Sequence, residues 1–227
     1  MNRSSLDRIH TQILWDRLLA VVEEQAQTLV RTAFSTTVRE AGDISAGVFD
    51  TQGRMLAQAV TGTPGHVNAM AASVGFFLQK FPVEDLHPED VLLTNDPWYG
   101  TGHLNDFTVI TPVFRKGRPV ALFAATSHIA DVGGLGFGPD GRQVFEEGLN
   151  IPMGYLYRAG EPNEVLLEIL RANVRDPRSA EGDLHSLTAC NRAGVESLLA
   201  TLDEFGMDDL DTAGRVIVDN SRDAMLA

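Results

Sequence analysis

The chain has 227 residues, 44% of them hydrophobic and 22% charged, and carries a formal net charge of −13. That is enough apolar sequence for a buried core. The acidic balance argues against nucleic acid and against an anionic membrane surface, since both are held by clustered Lys and Arg.

A single cysteine, Cys190, permits no disulfide within the chain and points to the reducing cytoplasm. Charges are interleaved through the opening "MNRSSLDRIHTQILWDRLLA", unlike a signal peptide. No apolar run reaches the ~18 residues a membrane span needs. The only lysines are Lys80 and Lys116, and neither stands in a GxxxxGK[ST] loop, so no P-loop is present.

In chain order, Ile9, Ile13, Leu14, Leu18, Val21, Val22, Leu29 and Val30 recur near helical spacing and predict one long helix over 5–38. Two short apolar runs flank "DTQG" and predict a hairpin. "HVNAMAASVGFFLQKF" reads as a buried helix over 66–81, and 91–94 as a short strand. Residues 107–114 and 119–127 read as strands buried on both faces, joined by a tight turn at "RKGR" into an antiparallel hairpin. Residues 132–150 are Gly-rich and aperiodic. Helices follow over "EVLLEILRANVR", 181–205 and 208–226, and the last pattern runs on with no Gly or Pro stop, as in a truncated chain. The expected class is α+β: central antiparallel strands with a long amino-terminal helix and a carboxyl-terminal helical segment.

Two His-x-x-Asp pairs stand beside the paired strands, His103 with Asp106 and His128 with Asp131. A two-residue turn at Lys116 and Gly117 sets Asp106 opposite Ser127, while a three-residue turn sets it opposite His128. The sequence leaves that register open. Positions three apart point to opposite faces of a strand, so His103 and Asp131 join the others only through a bend, which Gly102 and "DVGG" supply. Two imidazoles and two carboxylates suit Zn, Mn or Fe better than Ca or a thiolate metal. The competing reading is an Asp capping a strand end and a His making one backbone hydrogen bond. His66, in "GTPGHVNAM", stands where a helix start holds an anion or a substrate carboxylate, or simply packs. "GFGPDG" fits GxGxxG but lacks the following helix of a dinucleotide loop. Cys190 reads as core, and no GxSxG elbow exists.

In this order "REAGDISAGVFDTQGRMLAQA", "GTPGHVNAM", "NDPWYGTGHLNDFTVITPVF", "SHIADVGG", "EGLNIPMGYLYRAG" and "GDLHSLTACNRAG" resemble the hydantoinase B/5-oxoprolinase family near its amino-terminal end. The resemblance implies that the whole of 1–227 is the amino-terminal portion of such a domain, with helix over 5–38, mixed α/β over 39–160 and helices over 161–227. It implies a B-type subunit in a hetero-oligomer. An A-type partner uses ATP with Mg to phosphorylate a cyclic amide of the hydantoin or 5-oxoproline type, and the B-type part hydrolyses it with a divalent metal, Mn or Zn. By motif match His103, Asp106, His128 and Asp131 are the metal positions. Asp106, Asp131 and His128 are the catalytic ones, and His66, Asp96 and Asp43 belong to the substrate pocket. Asn105 stands where the family usually has Pro. The alternatives are a metal-containing subunit of an acetone- or acetophenone-carboxylase-like enzyme, and a non-catalytic scaffold that docks the A-type subunit.

Overall fold

Apolar runs in the middle of the chain pair into one sheet, and the amphipathic ends close over it as helices. The structure, a computed structural model, describes residues 3–136 and 138–226. In chain order the elements are α1 (Arg3–Thr32), α2 (Thr36–Arg39), β1 (Ile44–Phe49), β2 (Met55–Gln58), α3 (Pro64–Lys80), β3 (Val91–Thr94), β4 (Asp106–Arg115) and β5 (Arg118–His128). There follow α4 (Val144–Glu147), β6 (Gly154–Arg158), β7 (Glu161–Pro162), α5 (Glu164–Asn173), α6 (Pro177–Glu204) and α7 (Asp211–Leu226). The strands form one antiparallel sheet in the order β2-β1-β5-β4-β3-β6-β7. The class is α+β, as the sequence implied.

Both faces of the sheet are covered, which is why β4 and β5 are apolar on nearly every residue. On one face Phe49, Leu92, Ile110, Leu122 and Ala124 pack against Met70, Val74 and Phe77 of α3. On the other, Val109, Phe107, Phe123 and Ala125 pack under Leu18, Val22 and Leu29 of α1 and Leu184, Leu187 and Leu198 of α6. The alternation follows the two-residue period of a strand. No helix among the described residues is long and apolar enough to cross a membrane.

The hairpin resolves the register by using both alternatives. Lys116 and Gly117 form a two-residue turn with positive φ at both, and Arg115 faces Arg118. An irregularity between Val113 and Phe114 then shifts the pairing by one residue, so that Asp106 faces His128.

Two differences from the sequence reading have local causes. The helix expected over 5–38 is broken after Thr32, because Asp183 Oδ1 on α6 accepts from the backbone N–H of Phe34 (2.7 Å) and Ser35 (3.2 Å). The edge hairpin of β6 and β7 had no clear pattern. Its residues are mostly half-exposed, and its pairing with β3 is irregular between Val91 and Leu92.

Candidate metal centre

The site lies at the end of the β4–β5 hairpin opposite its turn. Pairing of Asp106 with His128 puts both side chains on the face that carries α3. Gly102, at φ +108°, bends the chain just before β4, and His103 folds back over the strand end, its backbone carbonyl accepting from Asp106 N at 3.4 Å. His66 comes from the first turn of α3, behind Pro64, a residue suited to a helix start. Gly62 allows that approach: at φ +151° it passes so close to β1 that a Cβ there would lie 2.6 Å from Ile44 O.

Asp106 is the hub. Its Oδ2 lies 2.9 Å from His103 Nε2 and 3.1 Å from His66 Nε2, and accepts a short hydrogen bond from Thr101 Oγ1. Its Oδ1 lies 3.3 Å from His128 Nδ1. The rings of His103 and His128 are 5.1 Å apart. Asp106 and His128 are buried, while His103 is partly exposed and marks the mouth. Burial pushes the Asp106 carboxyl up, but hydrogen bonds from His103, His128, His66 and Thr101 outweigh it and hold the group well below the usual carboxylate range. The bond to Asp106 raises His103 against the effect of burial. Burial pushes His66 down, yet the bond and charge of Asp106, helped by Asp43, leave it raised.

Among the described residues, His103, Asp106 and His128 offer one ligand atom each within 4.8 Å of one another. Two imidazole nitrogens and one carboxylate oxygen, around a carboxylate already ionised, fit a divalent ion such as Zn or Mn.

The four groups of the two His-x-x-Asp pairs do not all gather here. Asp131 turns away: its Oδ1 accepts from Gly133 N (3.0 Å) and Arg175 Nη1 (2.8 Å), and its Oδ2 from the backbone N–H of Arg175 and of Asp176 (3.3 Å). It fastens the loop after β5 to the junction of α5 and α6. Asp96 caps its own turn, accepting from Trp98 N at 3.0 Å. Asp43 and His66 lie at the centre, 3.5 Å apart, with Thr63 Oγ1 donating to Asp43 Oδ1 at 2.7 Å. Thr101, Thr63 and Asn95 were not foreseen. Asn95 ties the loops beside the site, donating to Leu104 O (2.7 Å) and Leu149 O (2.8 Å) and accepting from Ile151 N (2.6 Å). The motif "NDP" was the only sequence signal near it.

A cavity of about 300 Å³ lies between the loop after β5 and the segment 144–150, lined by Val132, Phe145, Leu149 and Asn173 among others. A larger groove of about 1080 Å³ runs between α1, β2 and α7, lined by Trp15, Met55 and Met225. Its size does not make it the reactive site, because it shares no residue with the His/Asp cluster and its lining holds no carboxylate, imidazole or thiol.

The profile of the hydantoinase B/oxoprolinase family matches residues 7–227. The chain belongs to this family. It is 30% identical to caprolactamase subunit beta of Pseudomonas jessenii, over 91% of this chain and 36% of that one. It is also 30% identical to 5-oxoprolinase 1 of Arabidopsis thaliana, over 96% of this chain and 18% of that protein. The crystal structure of the ATP-dependent caprolactamase from Pseudomonas jessenii superposes with a TM-score of 0.84 at 26% identity, covering 96% of this chain and 38% of that one. A nucleotide-free acetone carboxylase shares the fold, with a TM-score of 0.80 at 22% identity over 91% of this chain and 27% of that one. The family member described here thus spans less than two fifths of the length of these relatives.

Proposed function

We propose that this chain supplies the metal centre of a B-type module that opens a cyclic amide, of the hydantoin or 5-oxoproline type, after an A-type partner has phosphorylated the amide oxygen with Mg-ATP. The observation that carries this reading is the buried Asp106 carboxylate held between His103 and His128 at the mouth of the hairpin. The relatives named 5-oxoprolinase and caprolactamase support the substrate class, and names such as subunit beta support a partner. The carboxylase alternative rests on shared fold alone.

His103, Asp106 and His128 would hold the ion, Zn or Mn. Such an ion lowers the pKa of water and polarises a carbonyl. The chain's own residues do the rest. Hydrogen bonds from His66 and Thr101 keep Asp106 ionised when the two imidazoles are taken up by the ion, and the carboxylate turns both rings inward. His103, alone of the three in reaching solvent, sets where substrate arrives. Phosphorylation on the partner makes the ring carbon electrophilic. Addition of water to that carbon and cleavage of the ring C–N bond, with a proton passing to nitrogen, open the ring as an acyl phosphate, and a second water cleaves this to the free carboxylate and inorganic phosphate.

The metal content of the purified protein tests this. About one Zn or Mn per chain is expected, and His128→Ala should lose it while remaining folded. Wild-type protein that takes up neither metal would remove the reading.

A further inference from the structure

His103, Asp106 and His128 do not exhaust the groups around Asp106. His66 arrives from a different element, and its Nε2 lies between two carboxylates, 3.1 Å from Asp106 Oδ2 and 3.5 Å from Asp43 Oδ1. A ring nitrogen in that position carries the proton and donates it. The other nitrogen, Nδ1, is buried with no hydrogen-bond partner among the described residues. The ring is therefore held by its Nε2 edge alone. Behind it Thr63 Oγ1 donates to Asp43 Oδ1, and Thr63 N donates to Ile44 O at 2.8 Å. The backbone carbonyl of Asp43 accepts from His128 N at 3.2 Å. One short stretch before β1 thus reaches both His66 and the strand end that carries His128.

We infer that His66 is a positioning residue for the metal centre: its Nε2–H fixes the Asp106 carboxylate in the orientation that faces His103 and His128, and Asp43 and Thr63 fix His66. This rests on the metal reading above. A ligating carboxylate with free rotation presents its oxygens in several directions, and an outer hydrogen-bond donor selects one. His66 is not itself in the compact ligand set, and the nitrogen that faces the centre is already engaged by the two carboxylates.

The experiment is a titration of the full metal-free chain with Zn(II) by calorimetry and with Co(II) by visible absorption. His66→Leu removes the donor and is expected to weaken Zn(II) binding by about 10–100-fold, with the Co(II) bands unchanged in position. His66→Gln, whose amide nitrogen reaches nearly the same place, is expected to restore most of the affinity. Asp43→Asn, which loosens His66 without touching Asp106, should weaken binding less than His66→Leu; it carries the test if His66→Leu does not fold. Wild-type affinity in both His66→Leu and Asp43→Asn overturns the inference. So does a Co(II) spectrum in His66→Leu that shows a nitrogen ligand lost, since His66 would then touch the metal. Wild-type protein that binds neither ion removes the metal reading itself, a result distinct from those two.

Discussion

A buried carboxylate facing three imidazoles behaves differently with and without a metal, and pH separates the two states. In the metal-free chain His66 and His103 have raised pKa values, facing Asp106 and Asp43, with each other's charge opposing for His66. Their protonation therefore favours the folded state. That contribution is fully present below the ordinary value of 6.5 and is lost as pH rises through the raised folded values. Metal binding runs the other way, because imidazole must be neutral to ligate. The melting temperature of EDTA-treated protein, measured against Asp106→Asn as reference, should fall between pH 6 and pH 8. The increase given by added zinc should grow over the same interval. A zinc-induced increase that shrinks with pH would contradict the assignment. Cys190 is the opposite kind of residue. It is fully buried on α6, in the core on the far face of the sheet, burial pushes its thiol up, and its Sγ donates to Leu187 O at 3.1 Å. Cys190→Ser should leave metal content and turnover unchanged while lowering stability by about 1–2 kcal/mol, as a more polar group enters the core. Native protein should resist thiol reagents. At this scale His103, Asp106 and His128 were legible because hairpin pairing brings the strand ends together whichever register is chosen. Asp131 was misplaced because its partner, Arg175, follows a helix far along the chain. The contact of His66 with Asp106 depends on how α3 docks, which no local spacing encodes.

Helix α6 shows how close approach, rather than helical preference, fixes an element. At Gly194 an added Cβ would lie 2.6 Å from the ring of Phe123, which is fully buried in the sheet and has no room to turn. At Gly182 a Cβ would meet Phe34 at 2.5 Å, but that ring is 45% exposed and can swing aside. Alanine gains about 1 kcal/mol over glycine in a helix interior. Gly182→Ala is thus expected to be near neutral by urea denaturation. Gly194→Ala is expected to destabilise by about 1–3 kcal/mol, because overpacking outweighs the gain. Equal effects at the two sites would show that α6 is not seated through Gly194. The strands around the centre were readable because burial on both faces leaves continuous apolar runs between turn residues. The end of α1 was not, because the break depends on Asp183 capturing two backbone N–H groups from another helix. The β6–β7 hairpin was hidden for a different reason: a short, half-exposed edge strand leaves almost no periodicity.

Over the whole molecule the question is where nucleotide would bind, since the proposed reaction consumes ATP. A triphosphate needs a cradle of backbone N–H groups, usually at a helix start behind a glycine loop, together with Lys or Arg. Lys80 donates to Met153 O at 2.8 Å, and Lys116 pairs with Asp208 at 2.5 Å, so both lysines are engaged. The glycine-rich segment that fits GxGxxG includes residue 137, outside the described residues. The next helix is α4, only four residues long. The start of α3 is filled by His66, whose Nε2 is taken by the carboxylates of Asp43 and Asp106, and these two negative groups would repel phosphate. A net charge of −13 adds to that repulsion. The chain on its own is therefore expected to show no ATPase activity and no thermal shift with Mg-ATP, and to leave 5-oxoproline and ε-caprolactam intact. Ring opening should appear only when an ATP-using partner is added, and His128→Ala should then abolish ring opening while leaving phosphoryl transfer on the partner. Hydrolysis of ATP by the isolated chain, surviving in His128→Ala, would place the nucleotide site here and overturn the division of labour.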